Sequence, residues 1–240
     1  MITAAVLAGG LGKRLQSVIS DRPKVLAPVA GRPFLGYLLE QLVQAGADKV
    51  VICTGHLAEQ VRATFGGSFG PMPLIYSQEQ QPLGTAGALR QALPLLDSDP
   101  VLVLNGDSYC DVDISTFRAW QRRFGAAAAI ALTQVPDVSR FGSIAYGPDQ
   151  RIASFGEKSG SGAGWISAGV YLIMRELLST IPEGVTCSLE HDCFPQWVST
   201  GLYGYPRGKR FLDIGTASSY AEAETFFAAM PSRTAHAVTR

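Results

Sequence analysis

The segment Leu7-Ala8-Gly9-Gly10-Leu11-Gly12-Lys13-Arg14-Leu15 leaves the apolar run Ile2–Val6, and Pro23-Lys24 follows soon after. Glycines at 9, 10 and 12 remove the Cβ atoms that hold an anion away from backbone N–H groups, and they permit turns that aim those groups inward. Lys13, Arg14 and Lys24 add full charges, and the planar fork of Arg14 can grip two phosphate oxygens at once. The chemistry that fits is the wrapping of a polyphosphate. A Walker loop is ruled out by spacing, because Leu7 stands where its first glycine is needed and Arg14 where its Ser/Thr is needed. A dinucleotide fingerprint also fails, with Leu15 at the third glycine position and no acid between Asp21 and Glu40 to hold a ribose.

Two carboxylates stand where a cation would complete such a site. Asp107 follows the apolar run Val101–Asn105, and Asp213 lies between Arg210-Phe211-Leu212 and Ile214-Gly215-Thr216, so both read as strand ends. Magnesium favours one or two carboxylates plus substrate phosphate oxygens, which predicts Asp107 and Asp213 as its protein ligands. Asp111 and Asp113 form a D-x-D, the metal-holding signature of many glycosyltransferases, but their place before Ile114 suits the capping of a helix start. Cys187, His191 and Cys193 are close in sequence without an evident fourth ligand, so zinc is not expected there.

The elements that must position these groups alternate. Apolar runs at 2–7, 49–54, 74–77 and 101–105 read as strands, separated by helical patterns at 35–45, 58–65 and 86–96. This is a βαβ series and predicts an α/β fold with a mostly parallel central sheet between helical layers, a Rossmann-like αβα sandwich. Gly46 and Gly66-Gly67 supply helix stops, and Pro100 opens the fourth strand. Beyond Gly125 the pattern shifts to strands at 127–133, 142–146, 151–155, 166–174 and 202–205, expected to form the acceptor side of a cleft. Residues 218–230 read as an amphipathic helix, and residues 231–240 as a disordered tail after a single domain spanning 1–230.

Composition narrows the partners. Twenty basic residues balance twenty acidic ones in 240, so no nucleic acid or membrane is held by bulk charge. No leader pattern and no apolar run of about 18 residues occur, and four cysteines lie without a CxxC pair, which predicts a soluble cytoplasmic protein with reduced thiols. The sequence does not fix an oligomeric state and is compatible with a homo-oligomer.

The glycine loop with Pro23-Lys24 is joined by Gly31-Arg32-Pro33, Pro82-Leu83-Gly84-Thr85-Ala86-Gly87, Asn105-Gly106-Asp107, Phe155-Gly156-Glu157-Lys158 and Ser167-Ala168-Gly169-Val170-Tyr171. In order and spacing, over nearly the whole chain, this set resembles the sugar-1-phosphate nucleotidylyltransferases. Ser188-Leu189-Glu190-His191-Asp192 and Phe211-Leu212-Asp213-Ile214-Gly215-Thr216 look most like the D-glycero-D-manno-heptose 1-phosphate guanylyltransferases.

The resemblance implies a nucleotide-diphospho-sugar transferase fold and an enzyme of nucleotide-sugar biosynthesis, as used for cell-surface polysaccharide. It implies catalytic roles for Arg14 and Lys24, and nucleotide contacts at Leu7, Gly9, Gly10, Gly12, Lys13, Glu79, Gly84 and Thr85. It implies acceptor contacts at Asp107, Gly142, Glu157, Lys158 and Ser167, with magnesium on Asp107 and Asp213. Departures from the family pattern are Lys13 for threonine in the loop, Ser167 for asparagine, and Ala217 for proline.

Glu79 falls where the resemblance places the reader of the base. Guanine offers adjacent N1–H and N2–H₂ donors that a carboxylate accepts as a pair, so GTP is expected, with Gln78, Gln80 and Gln81 as competing readers. The acceptor phosphate monoester, with a second pKa of about 6, is already an anionic nucleophile, so no general base is needed. Alternatives are another triphosphate with mannose, glucose or N-acetylmuramate 1-phosphate, a D-x-D glycosyltransferase, or a silent nucleotide binder.

Overall fold

The computed structural model describes residues 1–10, 12, 14–16, 18–156 and 160–229. Lys13, Glu157, Lys158 and the expected tail at 231–240 lie outside the described residues.

The chain opens with β1 (Thr3–Leu7), a small hairpin of β2 (Pro28–Val29) and β3 (Arg32–Pro33), then α1 (Phe34–Gln44), β4 (Lys49–Thr54) and α2 (Ala58–Phe65). A short edge strand β5 (Ser68–Phe69) turns into β6 (Met72–Gln78), followed by α3 (Gly84–Ala92), β7 (Val101–Asn105), β8 (Ser108–Cys110) and α4 (Ile114–Phe124). Then come β9 (Ala128–Val135), β10 (Ile144–Tyr146), β11 (Ile152–Phe155), β12 (Gly164–Ile173), α5 (Arg175–Ser179) and α6 (Phe194–Trp197). The last elements are β13 (Leu202–Tyr205), β14 (Phe211–Asp213), α7 (Ala217–Ala221) and α8 (Ala223–Ala228).

One eight-stranded sheet has the order β13-β9-β12-β7-β1-β4-β6-β5. Its centre, β7-β1-β4-β6, is parallel, and β12 runs antiparallel between β7 and β9. Central parallel strands are covered on both faces, which is why they read as unbroken apolar runs. Ala4, Val6, Val50, Ile52, Leu102 and Leu104 pack on one face with Leu38 and Leu42 of α1, Val61 of α2 and Phe117 of α4. Ala5, Val51, Cys53, Val101 and Val103 pack on the other with Leu89 of α3, Leu178 of α5 and Phe194 of α6. The αβα sandwich follows from that alternation.

Three features of the fold matter for the site. From the second half, β9, β12 and β13 extend the main sheet, so the cleft walls share a hydrogen-bonded ladder, while β10 and β11 pair with each other in a small antiparallel sheet. Residues 126–132 favour helix by propensity yet enter β9, because Gly125 ends α4 at φ 60° and Ala128–Leu132 are buried between two strand neighbours. The helix expected over 218–230 is two short ones, α7 and α8, broken at Glu222. Phe227 of α8 stacks on Tyr37 of α1 at 3.7 Å and meets Tyr109 of β8 edge-on at 5.2 Å, docking the C-terminal helices beside β14.

Within β12, register with β9 shifts between Ser167 and Tyr171. Such an irregularity re-aims side chains. Ala168, Val170 and Leu172 face one core, while Ser167, Gly169 and Tyr171 line a cavity on the opposite face.

Candidate functional site

Two cavities of about 540 and 600 Å³ open at the carboxyl ends of the parallel strands. The first is lined by Leu7, Gly9, Gly10, Gly12, Arg14, Lys24, Glu79, Gly84, Thr85 and Asp107. The second is lined by Gly142, Ser167 and Asp213. Arg14, Asn105, Asp107 and Glu190 belong to both, so the cavities meet at those four residues. Ligands collect at strand carboxyl ends in such sheets.

Close approach of backbone builds the first cavity. Gly106 donates its N–H to the Leu7 carbonyl at 2.9 Å, and a Cβ at Gly106 would sit 2.6 Å from that oxygen, so only glycine lets Asp107 come beside β1. Gly12 has φ 60°, the left-handed conformation that favours glycine, and its Cα lies beside the Lys24 stem. Lys24 Nζ reaches Asp107 Oδ2 at 2.7 Å, with the lysine nearly buried and the aspartate half-exposed.

Asp213 arrives on β14, which pairs antiparallel with β8 so that Asp213 opposes Ser108, and Ile214 N–H donates to the Asp107 carbonyl at 2.9 Å. Burial, and then the nearby Asp107 carboxylate, push the Asp213 carboxyl above its ordinary range, against Lys24, the Gly215 N–H and Arg140. Arg140 Nη2 contacts Asp213 Oδ1 at 2.9 Å and Ser219 Oγ at 3.2 Å. A Cβ at Gly215 would sit 2.7 Å from Asp213 Oδ1, so this glycine leaves room for the carboxylate.

Two mutually repelling carboxylates, each already drawing a cation from the chain, form an oxygen donor set that fits a hard divalent ion. Among the described residues no group of three or more His, Cys, Asp or Glu is gathered.

At the far end of the first cavity, Glu79 takes its backbone position from β6, its N–H donating to the Thr54 carbonyl at 2.8 Å. Its Oε2 accepts the Leu83 N–H at 2.6 Å, and a Cβ at Gly9 would fall 2.3 Å from Oε1. Burial raises the Glu79 carboxyl above its ordinary range, and the Leu83 N–H opposes this.

Gly84 and Thr85 serve the site differently from a plain nucleotide contact. Gly84 has φ 72°, and a Cβ there would lie 2.4 Å from the Cys187 carbonyl, which also accepts from Ala86 and Gly87 N–H at 2.9 and 3.2 Å. The start of α3 is thereby docked on the segment carrying Glu190. Thr85 Oγ1 donates to Glu190 Oε2 at 2.8 Å and accepts from Leu189 N–H at 2.8 Å, so its hydroxyl proton is committed within the chain.

Asp113 caps α4, accepting from Thr116 N–H at 3.0 Å and from the hydroxyls of Ser115 and Thr116, which hold its carboxyl down at about 2. The N-cap of α4 is Asp113, while the Asp111 backbone N–H pairs with the Arg210 carbonyl at 2.9 Å. Neither aspartate lines the two cavities, which removes the structural basis for a D-x-D site. Cys187 and Cys193 come to 3.7 Å between sulfurs, and both are free thiols.

Sequence reasoning misses Arg140 as a site residue and quotes Asn105, Tyr171 and Glu190 only as parts of motifs. Asn105 carried a signal as the last residue of a strand before Gly-Asp. Arg140 carried none, because its partner Asp213 is 73 residues away.

Residues 3–229 match the family model for nucleotidyl transferases. The chain is 33% identical over 222 residues to the D-glycero-alpha-D-manno-heptose 1-phosphate guanylyltransferase of Aneurinibacillus thermoaerophilus, covering 92% of this chain and 96% of that protein. It is 32% identical over 224 residues to the mannose-1-phosphate guanylyltransferase of Mycobacterium tuberculosis, covering 91% of this chain and 62% of that longer protein. The crystal structure of HddC from Yersinia pseudotuberculosis complexed with GMP-PN superposes with a TM-score of 0.85 at 30% identity, covering 95% of this chain and all of that one.

Proposed function

The chain belongs to the nucleotidyl transferase family, and from that membership we propose that it transfers guanosine monophosphate from GTP to D-glycero-D-manno-heptose 1-phosphate, releasing pyrophosphate. The observation that carries this reading is the pair of cavities joined at Arg14, Asn105, Asp107 and Glu190. One suits a nucleotide behind a glycine loop, the other a polar sugar, and the reacting phosphates meet between them. The guanylyltransferase relatives and the carboxylate of Glu79 at the base end support guanine.

In this mechanism the α-phosphorus is attacked in line by an acceptor phosphate oxygen that is already anionic near neutral pH. Arg14 grips phosphate oxygens, and Lys24 offsets charge that builds up as pyrophosphate leaves. Asp107 and Asp213 would hold a magnesium ion, which when bound neutralises the triphosphate and orients it. Ser167 and Gly142 line the acceptor side. Glu157 and Lys158 belong there by family resemblance, with Glu157 bonding sugar hydroxyls and Lys158 the phosphate. We read residues 1–230 as one catalytic domain acting in the cytoplasm, where its product would serve as a donor for glycan assembly such as cell-surface polysaccharide. Among the described residues no helix is long and apolar enough to cross a membrane.

The test is pyrophosphate release with Mg²⁺, crossing GTP, UTP, CTP, dTTP and ATP against hexose and heptose 1-phosphates. Release with GTP and the manno-heptose 1-phosphate is expected. Turnover with a different triphosphate alone would overturn the Glu79 assignment and keep the chemistry, and turnover with a hexose alone would overturn the heptose.

A further inference from the structure

A carboxylate stands at the junction of the two cavities. Glu190 sits on a single π turn, Leu189–Cys193, that runs into α6, a local irregularity of the kind often found at functional sites. Its Oε2 accepts from Thr85 Oγ1 at 2.8 Å and Ser188 Oγ at 3.1 Å, and its Oε1 from the Tyr171 hydroxyl at 3.3 Å. A carboxylate has about four lone-pair sites, so one on Oε1 is left.

The bonds behind Glu190 share one direction. Tyr171, 1% exposed, accepts from Asn105 Nδ2 at 3.2 Å and Ser167 Oγ at 3.3 Å while donating to Glu190. Burial, and then the Glu190 charge, raise the phenol well above its ordinary range, so it remains a donor. Ser167 spends its proton on Tyr171 and accepts the Gly169 N–H at 3.2 Å, leaving one lone pair.

We propose that Glu190 sets the hydrogen-bond polarity of the acceptor pocket. Every hydroxyl hydrogen in the chain Ser167–Tyr171–Glu190–Thr85 points along the chain toward the carboxylate, so the stretch of wall formed by Ser167 and Glu190 offers the sugar lone pairs, in contrast to the donors Arg14 and Arg140 elsewhere in the cavity. It selects an acceptor whose ring hydroxyl donates there, and it rejects a group of equal size that cannot donate. Glu190 is in this sense a specificity-determining residue for the sugar 1-phosphate, an inference that rests on the proposed transferase reaction.

Deoxyfluoro analogues test it, because fluorine replaces a hydroxyl at similar size and cannot donate. Steady-state kinetics would be run with GTP, Mg²⁺ and manno-heptose 1-phosphate, mannose 1-phosphate and each monodeoxyfluoro mannose 1-phosphate. The wild-type chain is expected to disfavour at least one fluoro analogue by roughly tenfold or more in KM, the size of one lost bond to a charged group.

Glu190→Gln brings an amide donor into the wall. It should raise KM for the hydroxylated acceptor roughly 10- to 100-fold and shrink the fluoro discrimination to about twofold, with kcat and the GTP KM within about threefold. Tyr171→Phe frees the Ser167 hydroxyl to donate outward and should relax the same discrimination, so it carries the test if the glutamine variant does not fold. Unchanged discrimination in a folded variant would overturn the proposal, as would equal losses toward GTP and sugar. No turnover by the wild-type chain with any acceptor would instead sink the transferase reading, and this proposal with it.

Discussion

Lys24 and Glu79 make opposite demands of their surroundings. Lys24 pairs with Asp107 at 2.7 Å, and in the proposed reaction it faces the charge of the leaving group. Lys24→Ala is expected to lower kcat by about 10²–10³, the usual effect of losing one preorganised electrostatic group. A near-normal kcat in pyrophosphate release would remove Lys24 from the phosphate site. Glu79 has its carboxyl raised by burial. If its ionised form reads guanine, GTP affinity is flat near neutral pH and falls on acidification through a pKa above the ordinary 4.5, a step absent in Glu79→Gln. The stability sign is reversed. A raised carboxyl binds its proton more tightly in the folded state, so Glu79's contribution to stability grows as pH drops from the folded pKa to the unfolded one. The difference in thermal stability between the wild-type chain and Glu79→Gln should therefore shift toward the wild type on acidification while the difference in GTP affinity shifts against it, and a pH-independent difference in affinity would exclude Glu79 as the reader.

Asp113 belongs to an element and not to the cleft. Its carboxylate satisfies the N-terminal groups of α4, and Asp113→Ala should cost about 1 kcal/mol in denaturant unfolding while leaving turnover intact. A large loss of turnover at unchanged stability would revive the D-x-D reading. Elements of this kind were legible in the sequence: the apolar runs of β1, β4 and β7, the Gly125 stop and the capping aspartate each act locally. What was hidden depends on pairing at a distance. No periodicity in Ser108–Cys110 announces that β14 will lie beside it, yet that pairing places Asp213 near Asp107. The strand read at 127–133 is found as β9, where burial between β12 and β13 overrides the helix propensity of its alanines. The site was legible where glycines, lysine and aspartate follow strand ends, and illegible at Arg140 and Tyr171, whose meaning lies in partners from other elements.

At the scale of the whole molecule, the two cavities share one wall, so the product of joining their occupants should bind better than its parts. A GDP-sugar spans both with its orientation already fixed by a covalent bond. Its stabilisation in thermal unfolding is expected to exceed that of GDP and the sugar 1-phosphate supplied together at equal concentrations. A shift no larger than that of the mixture would mean the cavities are not occupied jointly. The chain's zero net charge agrees with recognition that is local to these walls. The placement of β12 has a consequence for how such a protein can diversify. Its odd-numbered positions Ser167, Gly169 and Tyr171 line the second cavity, while Ala168, Val170 and Leu172 are locked into the core. New sugar preferences can thus be reached by exchange at Ser167, since Gly169 sits at φ 72° with a would-be Cβ 2.4 Å from Ser108 Oγ and Tyr171 is buried, whereas adding or deleting one residue would turn the pocket inside out; the strand is a cassette open at one position and closed to changes in length.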